Sequence, residues 1–194
     1  MNRSPYHRYT EWLKNAKWAR QTKVQNTPSF AITLSPELDR ETVVLAEDLA
    51  EYLNEFDENA AGNWTVYDHE ALREISQLGG LDDLPKWIKR PSGLVATTDA
   101  ESTYSELLCG MVQLGTIVVV ENQAYLATQQ IPRVFHVHLT DHAKALVDDT
   151  RPFHVLMNTN RFGSDSMVNI IGDSALEWAS RGHDPMDRVT DFVR

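Results

Sequence analysis

Thr116-Ile117-Val118-Val119-Val120 is the stretch on which the fold of this chain turns. A β-branched run without polar alternation is the pattern of a strand buried on both faces, and such a strand needs helices on either side of its sheet. Upstream, Thr98-Asp99-Ala100-Glu101 forms a capping box that opens a helix with Tyr104, Leu107, Leu108 and Met111 on one side, and Gly115 stops it. These neighbours predict an α/β (or α+β) protein with a central mixed sheet of about five or six strands covered by helices.

Working outward, residues 29–34 alternate as a short strand, with Phe30, Ile32 and Leu34 on one face. A helix is predicted directly after it, capped by Ser35, with Pro36 in the first turn and Leu38, Leu45, Leu49, Leu53 and Phe56 at helical spacing. Its other face, Glu41, Glu47, Asp48, Glu51 and Glu55, is a solvated acidic surface. Strands are further predicted at 63–67, 93–97, 134–140, 153–157 and 168–171. Helices are predicted at 68–78, capped by Asp68 and ended by Gly79-Gly80, at 141–147, from Asp173 or Ser174 to Gly182, and from Asp184-Pro185 to the terminus. The N-terminal region is helical over 5–21, with Ser4 as cap and Tyr9, Trp12, Leu13, Ala16 and Ala19 as its apolar stripe. One domain over 1–194 follows, with a subdivision near 89–93 into a helix-rich part (1–92) and a compact α/β part (93–194) as the one plausible boundary.

The 194 residues are 42% hydrophobic and 24% charged, enough apolar material for a proper core. The longest charge-free window, 107–120, is too short and broken to span a bilayer, so no membrane association is expected. The N-terminus lacks the apolar segment of a secretory signal, and the single cysteine, Cys109, rules out an intrachain disulfide, which predicts a soluble protein of a reducing, cytoplasmic compartment. Charge is unevenly spread. Residues 1–25 hold Arg3, Arg8, Lys14, Lys17, Arg20 and Lys23 against Glu11, a net of +5, which leaves −15 for the rest of a chain whose total is −10. An acidic body disfavours nucleic acid over most of the surface, and leaves the basic N-terminal helix as the place for such a contact.

The densest chemistry lies in His136-Val137-His138-Leu139-Thr140-Asp141-His142. Strand alternation places Val134, His136, His138 and Thr140 on one face and Phe135, Val137 and Leu139 on the other, with the two imidazoles about 7 Å apart along the backbone. Two imidazoles at that spacing, completed by Asp141 or His142, are a candidate set for a divalent metal such as Zn²⁺. Glu121, directly after the buried strand, stands where open α/β sheets place catalytic groups and is the candidate general base. Without a metal, the histidines cover a half-exposed strand face. The string is similar to the metallo-β-lactamase motif His-x-His-x-Asp-His, but one extra residue before Asp141 breaks the spacing.

The sequence holds no complete catalytic set. The function it favours is a non-enzymatic interaction or assembly subunit, binding a protein partner or further copies of itself, with Arg8, Lys14, Lys17 and Trp18 of the N-terminal helix as the candidate partner-binding residues. A metal-dependent phosphoester hydrolase using His136, His138, Asp141, His142 and Glu121 is the alternative, and nucleic-acid contact through the N-terminal helix the third.

Overall fold

The computed structural model describes residues 4–22, 30–36, 40–58, 60, 62–86, 88, 99–120, 128, 131–140 and 153–181. In chain order these form α1 (Pro5–Thr22), β1 (Ala31–Pro36), α2 (Arg40–Phe56), β2 (Thr65–Asp68), α3 (His69–Gln77), α4 (Gly80–Asp83), α5 (Asp99–Leu114), β3 (Ile117–Val120), β4 (Val134–Thr140), β5 (Val155–Asn158) and α6 (Ser164–Ser180). The five strands make one sheet in the order β2-β3-β1-β4-β5. All four pairings are parallel, so the α/β architecture stands as expected, while the sheet is parallel rather than mixed. β3, from after residue 93, lies between β2 and β1, from before it.

Parallel neighbours need crossovers, and the crossovers cover both faces. On one face Leu45, Ala46, Leu49 and Leu53 of α2 and Val168, Ile171 and Ala175 of α6 pack on Ile32, Leu34, Val118, Val120, Phe135, Val137 and Leu139. On the other, Tyr9, Trp12, Leu13 and Ala16 of α1, Leu72 and Ile75 of α3 and Leu107, Leu108 and Met111 of α5 pack on Ala31, Tyr67, Ile117, Val119 and Val134. Strand alternation thus sends each strand's odd and even positions into different cores. Apolar surface buried in such cores is worth roughly 25 cal/mol per Å².

Local chemistry explains the element ends. Ser4 Oγ accepts from the His7 amide at 3.3 Å, and Asp68 Oδ1 from the Ala71 amide at 2.8 Å, the N-caps expected of α1 and α3. Gly79 ends α3 in the left-handed region at φ 85°. Gly115 and Thr116 turn the chain into β3 with φ of 77° and 55°, and the Thr116 amide is held by the Phe30 carbonyl at 2.7 Å. Tyr52 of α2 lies against Gly172 of α6 so closely that a Cβ at 172 would stand 2.5 Å from its ring, and its hydroxyl donates to Asp173.

Two assignments are corrected. Ser35 and Pro36 extend β1 rather than opening the helix, and α2 begins at Arg40. Residues 168–171 are helical, not a strand: Met167, Val168, Ile171 and Ala175 repeat at helical spacing and are buried, so the polar run Ser164-Asp165-Ser166 is the first turn of α6. The strand predicted at 93–97 and the helices predicted at 141–147 and after 184 lie outside the described residues.

Candidate functional site

The site is built from the carboxyl-terminal halves of β1 and β4. These strands are in parallel register with Thr33 opposite His136 and Ser35 opposite His138. Ala31 and Val134 belong to the core under α1 and α5, so Thr33, Ser35, His136, His138 and Thr140 share that face of the sheet, further along the strands. All five are buried: Thr33 0%, Ser35 3%, His136 4%, His138 8% and Thr140 1% exposed. The half-exposed histidine face expected from the alternation is therefore corrected; β4 is buried at every position. The amino-end half of this face is apolar and its carboxyl-end half polar.

His136 is tied down on three sides. Its Nδ1 shares a hydrogen with Thr33 Oγ1 at 2.7 Å. Its main-chain amide donates to His154 Nδ1 at 2.8 Å, and its carbonyl accepts from the His154 amide at 2.9 Å. The imidazole of His154, just before β5, stacks on His136 and on Phe135, with ring centroids 5.6 Å and 4.9 Å apart, and meets Trp178 edge-on. Burial, reinforced by the neighbouring His154, pushes the His136 pKa down to about 3, so the ring is neutral at any physiological pH. His138 stacks on Phe153 at 4.9 Å. An accepting Nδ1 fixes His154, when neutral, as the Nε2–H tautomer.

Ser35 was not singled out by sequence as a ligand contact. Its hydroxyl is enclosed and has no hydrogen-bond partner among the described residues. The chain's path across the sheet reverses at β1, because β1 to β2 runs toward one edge and β3 to β4 toward the other. Ser35 therefore sits at the carboxyl end of the switch-point strand, where open α/β sheets receive ligands. The signal was available: Thr33 and Ser35 alternate with Ile32 and Leu34 just as the histidines alternate with Val137 and Leu139.

The other candidate residues separate. Glu121, Asp141 and His142 lie outside the described residues. Among the described residues no group of three or more His, Cys, Asp and Glu side chains could hold a metal. On α1, Arg8 and Lys14 are exposed, whereas Lys17 donates to the Asp83 carbonyl at 2.8 Å; the Trp18 side chain is outside the described set. Two tyrosines of α1 turn inward: Tyr9 donates to the Gly80 carbonyl at 2.6 Å and Tyr6 to Asp83 at 2.8 Å, which raises the Tyr6 pKa. No described helix is long and apolar enough to cross a membrane.

No family model matches the chain, and no curated protein does. Among solved structures it is similar to an uncharacterized protein of Eubacterium ventriosum, with a TM-score of 0.52 and 13% identity over 79% of this chain and 99% of that one. That likeness shows the fold alone. A hexameric APS kinase from Thiobacillus denitrificans superposes with a TM-score of 0.48 and 12% identity over 84% of this chain and 32% of that one, too slight a likeness to carry an argument.

Proposed function

We propose that this protein is a non-enzymatic interaction or assembly subunit and that α1 presents its contact surface to an acidic protein partner. One observation carries the reading: α1 buries Tyr9 and Trp12 in the core and leaves Arg8 and Lys14 exposed, on the side of the sheet opposite acidic α2. Such cations steer an acidic partner and set the register of docking more than they add affinity. The fate of the imidazoles supports the non-catalytic half of the reading, since His136 is neutral, buried and committed to Thr33. The buried thiol of Cys109, with a pKa pushed up to about 11 by desolvation, is inert and suits a reducing cytoplasmic setting.

The test compares wild type with Arg8→Glu/Lys14→Glu in light scattering and in pull-down. A partner or assembly seen with wild type and weakened on the order of tenfold or more by the charge reversal fits the reading, tenfold being about 1.4 kcal/mol. A wild-type protein that is monomeric and captures nothing sinks it. A salt-sensitive duplex DNA complex lost in the same variant would instead assign α1 to nucleic acid.

A further inference from the structure

α2 turns an acidic face outward. At about 100° per residue, Glu41, Val44, Glu47, Asp48, Glu51 and Glu55 fall within about 120° of one another around the helix, and all six are exposed. Val44, 54% exposed, is an apolar side chain left in water among carboxylates. Among the described residues none of these five carboxylates has an ion-pair partner. Glu47, Glu51 and Glu55 follow one another at successive turns, where like charges destabilise a helix, and the last turn of α2 has no basic residue to answer the helix dipole. Positive charge brought to this face from outside relieves both effects.

α1 is the complement of that face. Arg8 and Lys14 point outward and have no ion-pair partner among the described residues, while Glu11, between them, lies 3.5 Å from His7. The two helices cover opposite faces of the sheet, so within one copy they never meet. We infer that α1 of one copy docks on the outer face of α2 of a second copy, with Arg8 and Lys14 against Glu47 and Glu51 and Val44 as the apolar centre of the patch. This rests on the reading of α1 given above and names its acidic partner. Complementary charge selects that partner and sets the register of the contact. Because α1 and α2 face opposite ways, one contact leaves a free α1 on one copy and a free α2 on the other. The contact is therefore heterologous and adds copies in a row instead of closing on a pair. A net charge of −10 on each copy opposes association at long range, so the contact is short-range and reversible.

The experiment is a charge swap in the full chain, read by sedimentation velocity over a concentration series, with thermal melts to show that each variant stays folded. Wild type is expected to pass from monomer to dimer and then to larger species as concentration rises. Arg8→Glu/Lys14→Glu, acidic on both helices, and Glu47→Lys/Glu51→Lys, basic on both, are each expected to self-associate more weakly, on the order of tenfold or more. Mixed together, the two variants are expected to assemble with each other, because the acidic α1 of the first meets the basic α2 of the second. Glu47→Gln/Glu51→Gln removes the charge without reversing it and is expected to weaken assembly in the same direction, so the result does not depend on how α2 tolerates lysines. The inference is overturned if wild type stays monomeric, if its assembly stops at the dimer, or if mixing the two charge-reversed variants restores nothing. If Arg8→Glu/Lys14→Glu weakens assembly and neither α2 variant does, the α1 reading stands and this inference falls; if none of the three weakens it, both fall.

Discussion

β3 and β4 lie on either side of β1 and are equally sealed from solvent, yet they are filled differently. β3 offers Ile117, Val118, Val119 and Val120 to both cores. β4 gives Phe135, Val137 and Leu139 to one core and turns His136, His138 and Thr140 toward the other side. Burial and apolarity are therefore separate properties in this sheet. Where they part, each polar atom must find a partner or be kept at a cost in stability.

This contrast can be broken most forcefully at β3. Val118→Asp puts a carboxylate at a fully buried position with no polar neighbour on its own strand, and is expected to cost more than about 4 kcal/mol, read as loss of a cooperative melt. At β4 the polar pairing makes a subtler cycle possible. His136→Val alone leaves Thr33 Oγ1 without its partner and is expected to cost about 1–3 kcal/mol, whereas Thr33→Val/His136→Val recovers much of that loss in urea melts. If the double variant is as unstable as the sum of both singles, the pair is not the unit described.

The same histidine sets a pH dependence that β3 cannot have. Its native pKa is about 3, against about 6.5 in an unfolded chain, so below pH 6.5 the unfolded state takes up a proton that the native state refuses. Its contribution is complete above pH 6.5 and is lost as pH falls toward 3, at up to about 1.4 kcal/mol per pH unit. In Thr33→Val/His136→Val this part of the acid slope should vanish; an unchanged slope would place the protonation elsewhere. Smallest of the set, Asp68→Ala removes the α3 cap and is expected to cost about 1 kcal/mol, a local loss that leaves the β3/β4 contrast intact.

The sequence made β3 legible because a short apolar run has few other uses, and it placed α1, α3 and α5 because their caps and stripes agree. It misplaced the start of α2 because serine followed by proline satisfies a strand end as well as a helix start, and only pairing with His138 and Leu139 decides between them. Val168 to Ile171 misled in the opposite direction: β-branching suggested a strand, while the buried positions are set by packing against α2. For the site, alternation correctly put His136 and His138 on one face. It could not tell a wet face from a buried polar one, since that depends on Thr33, 103 positions away in sequence.

His154 gives the sheet a consequence of its own. The β4–β5 backbone pairing begins at Val137 and Val155, and just before it the imidazole of His154 takes the amide of His136. That ring behaves as a key cut for one notch. If β5 slid by one residue, an amide on the opposite pleat would face the ring, Met157 would exchange faces with Leu156, and both fits would be lost together. A four-residue strand, the edge strand among the described residues, is too short to fix its alignment by backbone bonds alone, and here the His154 ring and the buried Met157 supply the missing information together.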